Sequence, residues 1–380
     1  MRNFVPMKSL FNTMQNVLNN STFRILNSAL IVALLFSSCK KSAADMPKLH
    51  FKVEAKCPVT PVKNQGRSQT CWIYAMLATI ESNRIAMGDS VNLSPTFLER
   101  MLLQKEAEKV YNSKGKEKIT LRGMIPYCMQ LIDEYGAFNF DSYYCKNKEF
   151  SMKETINKLQ SIAEETAGKK GESIEKLRRK TKELLDNEIS FLPKNQFFLG
   201  AGYTPQEFGN SVALYEHYEF LGADYNFPDR RKSDKITKTS PAQMLEKTEQ
   251  SVRRGYAVCW EGDISEDGFC WEAGLAIDPL LLPHEGEGNS HKENAADFNK
   301  RYEEGIENGD TTDDHCLEIC GIAHDQHGRK YFVCKNSWGI SNRYKGFLFM
   351  SFDYFLTKTI LIGKLKDNYF FSASVKLEDV

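Results

Sequence analysis

Apolar and polar positions alternate with two different periods along this chain. After residue 71 the spacing is helical: Ile73, Met76, Leu77, Ile80, Arg84 and Met87 fall near one face, with Gly88-Asp89 as a stop, which predicts a helix over 72–90. A second helix is expected over 94–112, opened by Ser94 as cap and Pro95 in the first position. Leu121–Tyr135 follows, ending at Gly136. Met152–Ile189 is charged and amphipathic, broken near Gly168–Gly171. No heptad persists over three repeats, which favours a helical insertion over a coiled coil. Pro241–Arg254 is a further helix. Strands then dominate: Ala257–Glu261, Cys316–Ala323, Lys330–Lys335, Phe347–Ser351 and Thr359–Leu365, with a turn at Asp325-Gln326-His327-Gly328. Helices first and strands later predict an α+β fold. Polar residues 283–307 read as a surface loop with a short helix around Asn294–Tyr302. A solvated insertion is favoured there over a lid.

The N-terminal pattern differs. Arg24 precedes Ile25-Leu26 and a continuous apolar run from Ala29 to Phe36, then Ser37-Ser38-Cys39 and Lys40-Lys41. This predicts a signal peptide over 1–38 with lipid attached to Cys39, because the apolar run is too short to span a bilayer. The expected location is the periplasm or cell envelope, and the expected membrane contact is a lipid anchor. An oxidising compartment permits disulfides. The spacing of the eight cysteines at 57, 128, 145, 259, 270, 316, 320 and 334 gives no unique pairing, and buried free thiols fit equally well.

Composition narrows the picture modestly. The chain has 380 residues, 41% hydrophobic and 12% aromatic, enough for one large domain or two modest ones. Fifty basic and fifty acidic residues cancel, so nothing argues for a nucleic-acid partner.

The chemistry centres on Cys71, in Gln65-Gly66-Arg67-Ser68-Gln69-Thr70-Cys71-Trp72. A free thiol is only a few per cent thiolate at neutral pH; a nearby imidazolium and a helix N-terminus both lower its pKa. Cys71 falls in the first turn of the helix predicted after it, with Thr70 or Ser68 as candidate cap. His315, in Thr311-Thr312-Asp313-Asp314-His315, stands at a predicted strand start, from which it can project into a cleft; its two preceding aspartates favour imidazolium. Asn336, in Lys335-Asn336-Ser337-Trp338-Gly339, can hold the imidazole through its amide oxygen, and Trp338 can shield that bond from water. Gln65 can donate its amide to an oxyanion alongside the Cys71 N–H.

These segments resemble the papain-like cysteine peptidases, and most closely their bleomycin hydrolase and aminopeptidase C branch. The resemblance runs from about Pro61 to about Lys366. Besides the motifs above, it rests on Asn92-Leu93-Ser94, Gly262-Asp263-Ile264-Ser265, Gly274-Leu275-Ala276-Ile277, Gly321-Ile322-Ala323 and Lys358-Thr359-Ile360. It implies a two-subdomain fold, one half helical and one antiparallel β, with a cleft between them and helical insertions. It also implies catalysis by Cys71, His315, Asn336 and Gln65, supported by Trp72 and Trp338, with Gln69, Thr70 and Asp314 touching substrate. Cys71 and His315 are 244 positions apart (315 − 71), whereas a papain-type core separates them by roughly 130–150; the excess is insertion, about 150–190 included.

The chain departs from the papain pattern in three places. Ser68-Gln69-Thr70 replaces the Cys-Gly-Ser before the nucleophile, so a usual disulfide partner is missing. Gln69 takes the place of a glycine, crowding the first specificity pocket or straining the turn if its φ is positive. The tail Ala373–Val380 does not match the branch's C-terminal arm, which limits relatives to peptide N-termini. The expected activity is N-terminal trimming of peptides without a cofactor. The alternatives are an endopeptidase of the same fold and a catalytically dead peptide-binding lipoprotein. Residues 39–50 become a lipidated tether and 51–380 the peptidase domain; the resemblance also allows a homo-oligomer. Cys316, Cys320, His324 and His327 have a metal-like composition, but a strand spreads them too far for one ion, so no metal is expected.

Overall fold

The computed structural model describes residues 46–169, 171, 173–222, 236–266, 268–278 and 295–369. The candidate signal peptide, Cys39, most of the tether, much of the 283–307 loop and the tail at 373–380 lie outside the described residues.

Helix α1 (Cys71–Ala86) is rich in Ala, Met and Ile and ends before Gly88, whose φ of +96° suits glycine. The expected single apolar face is too narrow a description. Residues 75–83 are buried on every side, Glu81, Ser82 and Asn83 included, because the helix lies between the other helices and the sheet. Helix α2 (Pro95–Asn112) starts as expected, with Ser94 Oγ accepting the Phe97 N–H at 3.2 Å. Helix α3 (Ile125–Tyr135) begins four residues later than the pattern suggested. Residues 152–188 form the pair α4 (Met152–Gly168) and α5 (Ile174–Glu188), which pack against α2. The fully buried Arg100 of α2 fastens this insertion: its guanidinium donates to Asp186 (2.6 Å), Tyr143 Oη (3.0 Å) and the Ser190 carbonyl (2.8 Å).

Strands β9 (His315–His324), β10 (Lys330–Lys335), β11 (Phe347–Ser351) and β12 (Thr359–Leu365) match their sequence signals closely. The turn between β9 and β10 is held by Asp325 Oδ1, which accepts the His327 and Arg329 N–H groups, both at 2.9 Å. Pattern reading missed the short outer strands: β1 (Lys52–Lys56), β4 (Tyr218–Gly222), β5 (Ile236–Lys238), β7 (Phe269–Cys270) and β8 (Leu275–Ala276). Strands β2 (Gln196–Phe198) and β3 (Ala201–Tyr203) pair in a separate hairpin before helix α6 (Pro205–Val212), while with β6 (Val258–Gly262) the other strands form a sheet ordered β5-β4-β12-β6-β9-β10-β11-β8-β7, and β1 pairs with the far end of β9. The sheet is not wholly antiparallel, since β4–β5 and β8–β11 run parallel. Helix α7 (Pro241–Arg253) packs on it. So does α9 (Phe352–Lys358), with α8 (Ala295–Asn308) against α9. Helix α8 is longer than expected and holds Phe298 and Tyr302 in the interior, as part of the packed body.

A buried polar network joins α1 to the sheet. Glu81 of α1 pairs with Lys63 at 2.6 Å and accepts the Leu93 N–H and the Thr60 hydroxyl. Glu318 of β9 pairs with Lys335 of β10 at 3.0 Å and accepts the Ser82 hydroxyl of α1, while Lys335 also donates to Thr60 at 3.1 Å. Leaving one buried charge without its partner costs about 3–5 kcal/mol, whereas replacing both partners with apolar residues is often close to neutral. Glu318→Ala is therefore expected to lower the unfolding free energy by about 3–5 kcal/mol in urea titrations. The double variant Glu318→Leu, Lys335→Met should lose much less; equal losses in the two would contradict this account.

Candidate active site

Cys71 is the first residue of α1 and is half-buried at the floor of a cavity of about 460 Å³. The cavity walls include Gln65–Gln69, Trp72, Arg122, Gly123, Asp313–Cys316 and Trp338. His315 is the first residue of β9 and is 3% exposed. Packing α1 against β9 places its ring beside the Cys71 sulfur, on the wall of the same cavity. The ring's Nε2–H donates to Asn336 Oδ1 at 2.8 Å, which leaves Nδ1 for the sulfur. Trp338 lies over this pair with its ring centroid 4.7 Å from that of His315, and Trp271 packs edge-on against Trp338 at 5.3 Å.

The loop that carries Gln65 is stitched to the loop that carries Asn336. Gln65 N–H donates to the Ser337 carbonyl at 2.8 Å, Gly339 N–H to the Lys63 carbonyl at 3.2 Å, and Asn64 bridges to Trp338. The Gln65 side chain is held at both ends. Its Oε1 accepts the Ser337 hydroxyl at 2.6 Å, and its Nε2 donates to the Ser68 carbonyl at 2.8 Å. An amide nitrogen carries two hydrogens, so one donor remains for a ligand in the cleft.

Two expectations about neighbouring residues need correction. Neither Thr70 nor Ser68 caps α1: the Thr70 hydroxyl donates to Glu99 Oε1 at 2.6 Å and lies 2.6 Å from the Ser68 hydroxyl. Thr70 is fully buried, which removes it from direct contact with a substrate. Burial pushes Glu99 up to about 7 despite those two hydroxyls. Gln69 is exposed at the rim, and its φ is not positive, so the turn carries no such strain. Asp314 accepts the Ile264 N–H at 3.0 Å; loss of water around its carboxyl and the neighbouring Asp263 charge push it up to about 7. Trp72 donates Nε1–H to the Leu121 carbonyl at 2.9 Å. This holds Gly123 against the indole, where a Cβ would come within 2.9 Å of the ring. The two tempting metal ligands Cys316 and Cys320 pack in different hydrophobic clusters, and a register shift in the β9–β10 pairing falls beside Cys320.

Sequence signals did not mark Cys316 as a neighbour of Cys71. Its thiol and backbone N–H beside the Cys71 sulfur favour the charged form. The Cys316 thiol is the largest influence holding the Cys71 thiol well below its ordinary range; the neighbouring His315 ring and its charge add to it, and together they overcome burial. His315 moves the other way. Burial lowers it, but the bond to Cys71, the thiolate charge, Asn336 and Asp314 raise it further, so its pKa lies above the usual histidine value. Both shifts act in favour of the thiolate and the imidazolium. Nearby Glu261 of β6 is fully buried, and burial and the Asp313 charge push its carboxyl well above the usual range. Only the position of Cys316 directly after His315 hinted at its place, and Glu261 gave no local signal.

No family model matches the chain. The crystal structure of PepW from Lactobacillus rhamnosis HN001 superposes with a TM-score of 0.61 at 14% identity, covering 97% of this chain and 94% of that one. Bromelain from Ananas comosus gives a TM-score of 0.35 at 15% identity, covering 81% of this chain and 94% of that one. In sequence, 104 residues are 28% identical to the thiol protease SEN102 of a Hemerocallis species, which is 27% of this chain and 26% of that protein. The chain thus spans about a quarter of the length of the curated relative it matches. The α+β architecture expected from the sequence is present, and the chain carries a papain-like fold, which it shares with PepW.

The electrostatics predict selective labelling. Iodoacetamide at mildly acidic pH should modify Cys71 before Cys57, whose thiol burial pushes up to about 12, or the buried Cys128 and Cys334. His315→Ala should raise the midpoint of Cys71 labelling by about one to three pH units, as removal of an adjacent cation does. Peptide mapping across a pH series checks this, and an unmoved midpoint would contradict it.

Proposed function

We propose that the protein is an exported cysteine peptidase that hydrolyses peptide bonds through the Cys71 thiolate, His315 and Asn336, trimming peptides from their N-termini. The observation that carries this reading is the run of contacts from the Cys71 sulfur through the His315 ring to Asn336 Oδ1, at the floor of an open cleft. The thiolate attacks the scissile carbonyl carbon. The Cys71 N–H and the Gln65 amide stabilise the oxyanion that forms, and His315 gives its proton to the leaving amine. His315 then takes a proton from water, which attacks the thioester and releases the acid. Asn336 keeps the imidazole in the orientation both transfers need.

N-terminal trimming rests on the resemblance to the aminopeptidase C branch. Internal cleavage is the second reading. It is favoured by a hollow of about 990 Å³ that shares Gln65, Gly66, Arg67 and Ser68 with the cleft and offers room for a longer chain. The Ala29–Phe36 run and Cys39 support export and lipid anchoring. Among the described residues no helix is long and apolar enough to cross a membrane.

Cys71→Ala should abolish turnover, and Gln65→Ala should lower kcat by about 10²–10³, as loss of one oxyanion donor does. The pH profile of kcat/KM should be a bell. Activity rises as Cys71 deprotonates below the ordinary thiol range and falls as His315 loses its proton above the ordinary histidine value. A mixed peptide library read by cleavage position separates the two readings: loss of single N-terminal residues supports trimming, and internal cuts support the second. Undiminished turnover by Cys71→Ala would refute both.

A further inference from the structure

The nucleophile does not stand alone. Cys316 follows His315 on β9, its side chain is 2% exposed, and it lines the same cavity wall as Cys71. It stands beside the Cys71 sulfur, and both thiols are free. The contact is fixed from two sides. Cys71 is held by the start of α1, and Cys316 by the β9 ladder opposite Glu261 of β6. Around Cys316 the interior is apolar, with Cys259 and the fully buried Glu261 beside it. Nothing in the peptidase chemistry above requires a second sulfur at this point, since a methyl group there would leave the contact between Cys71 and His315 intact.

We propose that Cys316 is the partner thiol of the nucleophile, donating its S–H to the Cys71 thiolate in the reduced protein and closing a reversible Cys71–Cys316 disulfide when a peroxide oxidises Cys71. The steps balance. The Cys71 thiolate attacks one peroxide oxygen, the O–O bond breaks, and an alcohol or water leaves after taking up a proton. Cys71 is then a sulfenic acid. Cys316 gives up its proton and its sulfur attacks the sulfenyl sulfur. The S–O bond breaks, the S–S bond forms, and hydroxide leaves with a proton as water. Each thiol has lost one electron and the peroxide has gained two. A soluble dithiol then reduces the disulfide by two exchanges, returning both residues to thiols while it becomes a disulfide itself. The contact therefore both favours the reactive thiolate and shields it from oxidation to the sulfinic acid, which is not reversed by thiols. Closure requires the sulfurs to approach to about 2.05 Å.

Two substitutions separate the parts. Cys316→Ser keeps a hydrogen-bond donor but cannot form the disulfide, and Cys316→Ala loses both. The thiolate titration of Cys71, followed by ultraviolet absorbance and by alkylation rate, should stay low in Cys316→Ser. It should rise by about one to two pH units in Cys316→Ala, the effect of losing one hydrogen bond to a charged group. After stoichiometric hydrogen peroxide, peptide mapping of the wild-type protein should yield a linked pair containing residues 71 and 316. Dithiothreitol should restore the free thiols and any peptidase activity. In both variants Cys71 should instead reach the sulfinic acid and stay there. The mapping and titration do not depend on turnover, so they test this proposal even if the peptidase assignment fails. Oxidation of wild-type Cys71 to sulfinic acid with Cys316 still reduced, or an unchanged titration in Cys316→Ala, would overturn it. The wild-type mapping stands even if neither variant folds.

Discussion

Two ion pairs, with three of their four members buried, fix how α1 meets the sheet. Glu81 and Glu318 approach one another from the helix and from β9, with Lys63, Lys335, Thr60 and Ser82 between them. Removing such charges from water costs nearly as much as pairing returns, so the network adds little net stability. Its effect is on register. Sliding α1 by one turn would leave a buried carboxylate unpaired, at a cost of several kcal/mol. Cys71 stands ten residues before Glu81 on the same helix, and His315 three residues before Glu318 on the same strand. Holding the two glutamates in place therefore holds the sulfur against the imidazole about 15 Å away.

How well the sequence foretold the fold varied with how local each feature is. The start of α2 and the bounds of β10, β11 and β12 follow from a cap, a proline and short β-rich runs, all local signals. The edge strands are too short to show a period, and β1 is recognisable only through its partner β9. Helix α1 was found, but its encirclement was not. Glu81, Ser82 and Asn83 are polar, yet each is buried with a partner distant in sequence.

The same division runs through the site. Cys71, His315, Asn336 and Gln65 sit in short motifs whose residue types announce their chemistry, and the structure brings them around one cavity or one hydrogen-bond chain. Their surroundings were not legible. That the Thr70 hydroxyl turns to Glu99 depends on α2 crossing beneath the start of α1. That Cys316 reaches Cys71 depends on how β9 enters the cleft, because neighbouring residues on a strand normally face opposite sides.

Arg100 gives the inserted helices a mechanical character. A guanidinium sealed inside the protein cannot let go of Asp186, Tyr143 and Ser190 singly without stranding its charge. Arg100 thus ties α5 and the segments at Tyr143 and Ser190 to α2. The hollow beyond the Gln65 loop is bordered by Pro95, Thr96 and Glu99 of α2 and by Met152 and Lys153 of α4. On the internal-cleavage reading, a peptide chain entering it would meet walls pinned on that side, and selection among side chains there would follow from what fits.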